Sequence, residues 1–283
     1  MQEIIITNQN KESITLGNQA PFFLETIDGV GEVGVAIESQ KAPKQDGSTY
    51  IDNTLGNRAI TIEGMIITKG DPCKLQKARR LMQQVVNPKL DEVNIAYRQG
   101  DLVKEIKAIA ESTPVFPAAK GNQGLYYQKF LLYLLCHQPF WLDTFYESRK
   151  MSYLMGGIGF RLRLPTAFSY RGFKRTALNE GDVATPVEIE FTGPAINPTV
   201  SNLTTGEFIT VNRKLEEEDI LYISTAFGEK HVKINGENAF HYIELDSTFW
   251  QLIPGENLLS YTSNKDSIKT KVLVKWKNRY VGL

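Results

Sequence analysis

The sequence has few of the residues on which catalytic and metal sites depend. Its 283 residues include only two cysteines, Cys73 and Cys136, and three histidines. Two cysteines form at most one disulfide and match no metal-ligand spacing, which excludes a disulfide scaffold and a cysteine-based zinc module. We expect both to be free thiols of a protein made in a reducing cytosol.

An excess of one charge and long apolar runs are also missing. The 32 basic residues balance 32 acidic ones, and the first 150 residues are balanced like the rest. Such a chain is not a bulk polyanion binder, so we expect no specific nucleic-acid site. The longest apolar run, 130–136, is far too short to cross a bilayer, and the first ten residues contain no signal-peptide core. We therefore expect no membrane association.

Strand patterns dominate the first half. Apolar residues alternate at 33, 35 and 37, at 60, 62 and 66, and at 106, 108 and 110, which predicts half-buried strands. The run 130–136 is apolar on both parities and predicts a central strand covered on both faces.

One segment has the pattern of an amphipathic helix. Asp71 can cap it, Pro72 suits its first position, and Asn87-Pro88 stops it. The apolar residues recur at three- and four-residue spacing: Leu75, Ala78, Leu81, Met82, Val85 and Val86. This predicts a helix over about 72–86 that lies on a sheet.

The second half lacks a comparable helix and shows short strands about ten residues apart, separated by turn signals. This spacing is typical of a β-sandwich. The strands are predicted at 160–164, 187–191, 208–211, 220–223, 232–234, 242–245, 258–261 and 272–276. The fold class is therefore mainly β with one main helix, and we place the domain boundary between Pro139 and Leu154.

No group of residues forms a convincing catalytic or metal site. His231 and His241 could share a sheet face, but no further ligand follows at a suitable position. His137 adjoins Cys136, yet neighbours on a strand point to opposite faces and cannot act as nucleophile and base. Glu188 and Glu190 form the polar parity of an ordinary strand. We predict no catalytic, cofactor-binding or metal-binding residues, no cofactor, and a protein that is not an enzyme.

Three other stretches also have ordinary structural explanations. The glycine-rich segment 155–159 lacks the Lys-Ser/Thr and the helix of a phosphate cradle. The acidic run 216–219 has no spaced ligands for calcium and suits a solvated hairpin tip. No acidic residue occurs between Glu147 and Glu180, where seven basic residues mix with aromatics. Distant acidic residues can balance that basic stretch, 149–175; otherwise a protein partner is favoured over nucleic acid.

The order of turns and strands resembles the distal tail (Dit) or siphovirus tail-component family of long-tailed phages and prophages. In the first half the likeness rests on Leu55-Gly56-Asn57-Arg58-Ala59-Ile60-Thr61-Ile62-Glu63-Gly64, on Ala78-Arg79-Arg80-Leu81 with Asn87-Pro88, and on Cys136-His137-Gln138-Pro139-Phe140-Trp141. In the second half it rests on Asn179-Glu180-Gly181-Asp182, 186–193, Asn197-Pro198, Asn202, Thr205-Gly206-Glu207, Asn235-Gly236-Glu237-Asn238, 249–257, Trp276 and Tyr280-Val281-Gly282. Their collinear order covers nearly the whole chain.

The resemblance implies two domains: a ring-forming N-terminal β-sandwich that carries the helix, 1–145, and a galectin-like C-terminal β-sandwich, 146–283. It implies a structural virion protein of the phage tail tip, synthesised in the bacterial host cytoplasm. As a baseplate hub adaptor it would form a homo-oligomer, a hexameric ring, that joins the tail tube protein to the tail-associated hub protein and to a receptor-binding protein. Because ring closure pairs two different surfaces and strand edges can continue into a neighbour, we expect the interface within residues 1–150.

One alternative is a carbohydrate-binding accessory protein in which exposed Trp141, Trp250 or Trp276 stacks on sugar rings. The two hypotheses differ in whether these indoles line a surface groove or lie in the core. Phe249 and Trp250 must point to opposite faces of a strand, and we expect Trp250 to be the more buried.

Overall fold

The computed structural model describes residues 2–68, 70–152, 173–264 and 270–283. The chain forms two compact units. The first comprises Met1–Thr144 together with Tyr280–Leu283, and the second comprises Phe145–Arg279. The last four residues, which the sequence analysis grouped with the second domain, thus belong to the first unit.

The first unit is an antiparallel β-structure with one helix. Its strands are β1 (Gln2–Thr7), β2 (Ser13–Leu16), β3 (Phe22–Asp28), β4 (Val35–Gln40), β5 (Thr49–Leu55), β6 (Arg58–Ile67), β7 (Val93–Gln99), β8 (Leu102–Ala110), β9 (Tyr127–Cys136) and β10 (Trp141–Asp143), and the helix is α1 (Pro72–Val85). Neighbouring strands follow the order β2-β1-β7-β8-β9-β6-β3.

The two ends of this strand order meet, so the sheet curls around one core. Gly17 N donates to Phe22 O at 3.2 Å, and Leu24 N donates to Gly17 O at 2.9 Å. The inward side chains alternate along each strand as predicted, with Ile60, Ile62 and Ile66 all buried. Meeting ends leave few unpaired strand edges in the curled sheet itself.

Helix α1 is where the sequence predicts it. The Asp71 carboxylate accepts hydrogen bonds from the backbone N–H groups of Cys73 and Lys74, and Pro72 occupies the first turn. The helix packs its buried face, Leu75, Ala78, Met82 and Val85, into the core of the first unit. Each aliphatic side chain buried in this way contributes about 1.5–3 kcal/mol.

The second unit consists of two main sheets with smaller pairs. Its strands are β11 (Glu147–Ser152), β12 (Phe173–Asn179), β13 (Thr185–Pro186), β14 (Glu188–Thr192), β15 (Ala195–Ile196), β16 (Thr199–Asn202), β17 (Glu207–Thr210), β18 (Lys214–Leu215), β19 (Ile220–Ser224), β20 (His231–Ile234), β21 (Glu237–Asn238), β22 (Gln251–Leu252), β23 (Gly255–Thr262) and β24 (Lys271–Trp276). The last strand, β25 (Arg279–Tyr280), pairs with β10 in the sheet of the first unit. A 3-10 turn, η1, covers Phe240–Tyr242.

The two main sheets share one core. One has the order β11-β24-β14-β19-β20-β21, and the other has the order β12-β23-β16-β17. Phe191 of the first sheet meets Tyr261 of the second edge to face, with ring centroids 5.5 Å apart. Together with Trp250 and Trp276 they form the centre of a β-sandwich. The mainly β fold with one main helix is therefore confirmed.

Three strand predictions differ from the structure. The segment 242–245 is not a strand: η1 ends at Tyr242, and Ile243 makes only an isolated bridge to Val211. Strand β9 is central, between β8 and β6, but only one of its faces is buried, since Tyr133 is exposed. The alternation at 33, 35 and 37 predicted a half-buried strand, whereas β4 is exposed along its length because none of the described residues forms a second layer over it. The segment 160–164 lies outside the described residues.

In the part of the chain that the structure describes, no helix is long and apolar enough to span a membrane.

Candidate functional site

The histidines and cysteines do not converge. Cys136 is buried in the core of the first unit, and burial raises the pKa of its thiol to about 12. Cys73 is exposed at the start of α1, and both cysteines are free. His231 stacks on Tyr222 at 5.2 Å. Among the described residues, no group of three or more His, Cys, Asp or Glu side chains could hold a metal ion.

The carboxylates that sequence analysis considered serve local structure. Glu190 forms an ion pair with Lys275 at 3.3 Å, and Glu188 accepts a hydrogen bond from the Tyr146 hydroxyl at 2.9 Å. In the acidic run 216–219, Asp219 accepts from the Glu216 backbone N–H at 2.8 Å. That backbone hydrogen bond holds the pKa of Asp219 below its usual value. These carboxylates stabilise strands and a turn.

All three tryptophans lie in the core. Trp141 is 0% exposed, and Trp250 and Trp276 are each 1% exposed. Trp250 is more buried than Phe249, as predicted. None of the three indoles can stack on a sugar in the folded protein, so the carbohydrate-binding hypothesis loses the residues on which it depended.

Most of the basic stretch 149–175 lies outside the described residues. Its arginines at 161, 163 and 171, and the glycine-rich segment 155–159, lie outside the described residues. Arg149, which is described, contacts other residues of the second unit. Its guanidinium lies 5.7 Å from the Trp276 ring centroid and donates to Thr176 O at 3.3 Å.

The most exposed apolar feature of the first unit is a β-hairpin, β4–β5, which we call the hairpin arm. Its two strands pair with each other and form a separate two-stranded sheet. Ile37 is 67% exposed and Tyr50 58%, while Val35 and Ile51 are each about half exposed. Exposed apolar residues concentrated on one element mark an interaction surface.

The strand register gives the hairpin arm two unlike faces. Residues directly opposite each other in an antiparallel pair point to the same side. One face carries Val35 opposite Leu55, Ile37 opposite Asn53 and, past a β-bulge, Ser39 opposite Tyr50. The other face carries Ala36 opposite Thr54, Glu38 opposite Asp52 and Gln40 opposite Thr49. The hairpin arm is thus amphipathic, with its apolar face open.

The base of the hairpin arm is held by a buried arginine. Gly56 N donates to Gly34 O at 2.8 Å and closes the base, and Arg58 follows at once with 0% exposure. The guanidinium of Arg58 donates to five backbone carbonyls from three segments: Gly29 at 2.7 Å, Val30 at 3.1 Å, Glu32 at 2.9 Å, Pro139 at 2.7 Å and Val281.

These contacts make Arg58 the centre of a polar cluster inside the first unit. Burial lowers the pKa of its guanidinium below the usual value. Val30 O also accepts from the Trp141 indole at 3.0 Å. A buried charge needs such compensation, because unsatisfied it would cost several kcal/mol. The cluster fixes the turn 29–32 that leads into the hairpin arm.

A second cation holds the returning C-terminal residues. Lys104 and Asp143 face each other across β8 and β10, and Lys104 Nζ lies 2.5 Å from Asp143 Oδ1. The ammonium also lies 3.6 Å from the centroid of the Tyr280 ring. Burial alone lowers the pKa of Lys104, but the hydrogen bonds and charges of Asp143 and Tyr280 outweigh it and raise the pKa.

A groove of about 450 Å³ runs beside α1, and we call it the helix groove. Its floor and walls are mainly apolar, with two lysines at the rim. The lining residues are Ala20, Pro21, Phe22, Ile67, Thr68, Lys74, Lys77, Ala78 and Leu81. Its size suits a few aliphatic or aromatic side chains from a partner.

Sequence reasoning did not identify the hairpin arm or the helix groove. The alternation at 33–37 was visible, but a sequence pattern does not say whether the apolar face meets the same molecule or another. Tyr50 and Ile51 gave a signal that could have been read, because they are two adjacent large apolar residues within β5, and a β-bulge there leaves Ile51 without a partner residue on β4.

Two family models match the chain. A siphovirus-type tail component, C-terminal domain, matches residues 180–280, and a phage tail protein RIFT-related domain matches residues 9–136. No curated protein sequence matches the chain significantly.

Solved structures share the fold over the whole chain at low sequence identity. The Dit (gp 19.1) protein of phage SPP1, described as a paradigm of the hub adsorption apparatus in phages that infect Gram-positive bacteria, has a TM-score of 0.69 and 12% identity, with 98% of each chain covered. A chain of the phage P2 baseplate in its activated conformation with Ca has a TM-score of 0.55 and 11% identity, covering 100% of this chain and 99% of that one. The corresponding structure with Sr gives 0.54 and 10%, with 100% of both chains covered.

Proposed function

The chain belongs to the siphovirus tail-component, or Dit, family, and from this premise we propose that it forms a hexameric ring joining the tail tube to the tail-associated hub. It is a non-enzymatic structural protein of the phage tail tip and baseplate, where it assembles with other tail proteins. In the proposal the first unit builds the ring.

The observation that carries the proposal is the amphipathic hairpin arm. Its apolar face holds Val35, Ile37, Tyr50 and Leu55, and three of these side chains are exposed large hydrophobics in the single chain. An isolated two-stranded hairpin is marginally stable in water and gains stability when a third layer covers it. A second copy would supply that layer at every position of a ring.

The family and the described chemistry support the same function. The described titratable groups do not converge on a common cleft: the Cys136 thiol is in the core, and Glu188 and Glu190 are held by Tyr146 and Lys275. What the surface offers is an extended apolar arm, which suits assembly better than turnover.

The mass of the full-length protein in native solution tests the ring. We expect a particle of six 31.9 kDa chains by native mass spectrometry and light scattering. Replacing Ile37 and Tyr50 by serine should shift it to smaller species without unfolding the chain, because both side chains are exposed.

A matched variant controls for lost surface hydrophobicity. Phe227 and Leu245 of the second unit are also exposed, and their replacement by serine should leave the particle intact. A wild-type protein that stays monomeric at high concentration would overturn the ring. A hexamer that survives the Ile37 and Tyr50 substitutions would show that the hairpin arm does not build it.

A further inference from the structure

The hairpin arm needs a complementary surface, and one candidate receiver lies on the same unit. The apolar face of the hairpin arm is exposed, and the helix groove is a mainly apolar concavity. We propose that the helix groove of one copy receives the hairpin arm of the next. This inference rests on the proposed ring and names its contact surfaces.

Charge favours this pairing. Helix α1 carries four basic residues and no acidic one: Lys74, Lys77, Arg79 and Arg80. The two strands of the hairpin arm carry two charges, both acidic: Glu38 and Asp52, which pair opposite each other on its polar face. The turn that joins the strands carries Lys41, Lys44 and Asp46, so the acidic charge lies on the strands and not at the tip. Docking the apolar face would bring these carboxylates within about one Debye length, roughly 8–10 Å, of the rim lysines, where opposite charges attract at physiological salt.

The position of Lys74 is unfavourable for its own helix. Lys74 lies in the first turn of α1, where the helix dipole disfavours a cation by about 0.3–1 kcal/mol, and Lys77 follows one turn later. Lys74 has only an exposed ion pair with Asp71, at 3.8 Å, and Lys77 forms no ion pair with the described residues. Two cations that flank an apolar groove, one of them unfavourable for its own helix, suit an acidic partner segment.

The two surfaces also have the right symmetry. An arm that docks into a different surface of its neighbour makes a head-to-tail contact, and such contacts close into rings when the rotation per subunit closes. A contact between two hairpin arms would instead be self-complementary and would stop at a dimer.

A charge-reversal experiment on the full chain tests the pairing. Lys74→Glu with Lys77→Glu should weaken assembly at least tenfold in the concentration needed for half-association, measured by light scattering and native mass spectrometry at low salt. Glu38→Lys with Asp52→Lys should weaken it similarly. Combining all four substitutions should restore most of the loss, because the attraction is then re-formed with the signs exchanged.

The design separates misfolding from lost contact. Glutamates in the first turns of α1 favour the helix dipole, so the Lys74 and Lys77 variant should unfold no more easily than the wild type. Reversal of Lys89 and Lys120, exposed basic residues elsewhere in the unit, gives the same net charge and should leave assembly within about twofold.

The outcomes distinguish the two proposals. A wild type that never assembles overturns the ring and, with it, this contact. If the wild type assembles and Lys74→Glu with Lys77→Glu has no effect, the contact is overturned and the ring stands. The same holds if the variant with all four substitutions does not regain assembly. Equal losses in the Lys89 and Lys120 control would also overturn it, since net charge would then be the cause.

Discussion

Replacing Arg58 by methionine should destabilise the first unit more than any surface substitution in it. The side chain is 0% exposed, and its five acceptors come from the turn 29–32, from Pro139 and from Val281. Methionine fills a similar volume and has no donor. The substitution therefore isolates the hydrogen bonds from the packing.

The magnitude follows from the carbonyls that lose their donor. After the substitution Val30 O still accepts from the Trp141 indole, so the loss is counted over the other four carbonyls that accept from Arg58. At about 1 kcal/mol for each hydrogen bond lost, the loss is about 4 kcal/mol, partly offset because the buried charge is also removed. We expect a net loss of about 3 kcal/mol, a large part of the 5–15 kcal/mol typical of a domain.

Hydrogen exchange measured by mass spectrometry checks this, because it reports the two units separately. Peptides of the first unit should lose protection by about two orders of magnitude, while peptides of the second-unit core should keep theirs. Arg98→Met is the matched control: Arg98 forms an exposed ion pair with Glu3 at 3.3 Å, and its loss should cost under about 1 kcal/mol. An Arg58 variant as stable as the Arg98 variant would refute the reasoning.

Two further predictions concern the first unit. A chromogenic disulfide reagent at pH 8 should label one thiol per native chain, at the exposed Cys73, and a second thiol only after denaturation. The reason is that burial keeps Cys136 protonated, with a pKa of about 12. Rapid labelling of two thiols in the native chain would contradict this. Lys104→Met should cost about 3 kcal/mol in denaturant unfolding, and adding Asp143→Leu should recover much of it, since breaking a buried pair costs more than replacing both partners. The pKa of Lys104 is raised in the folded protein, so the Lys104–Asp143 pair should stabilise the fold fully below the unfolded pKa of about 10.4. That stabilisation should be lost as the pH rises through the pKa of the folded protein. Unfolding curves that do not change between pH 9 and 11 would count against it.

Local signals predicted those elements whose stability is local. The cap at Asp71 and the proline at 72 fix the start of α1 through contacts within four residues, so the sequence reveals them. The segment 242–245 failed for the opposite reason. Its apolar residues suit a strand, but Ile243 forms only an isolated bridge to Val211. Whether a segment pairs as a strand depends on residues that are distant in the sequence.

The assembly surface was harder to predict because it consists of apolar residues that do not pack into the core of their own chain. The alternation at 33–37 looks the same whether the molecule or a neighbour covers it. The role of Arg58 was equally hidden. Arginines are mostly exposed, and only the meeting of three remote segments provides the carbonyls that allow this one to be buried on the same face as Ile60.

The return of Tyr280–Leu283 to the first unit affects the order in which the protein can mature. On the ribosome, residues 1–144 emerge first, but Arg58 gains its Val281 acceptor and Lys104 its Tyr280 ring only after the entire second unit has been synthesised. A nascent or prematurely terminated chain would thus present a hairpin arm with an unfinished base. Translation itself would delay the recruitment of subunits until each one is complete.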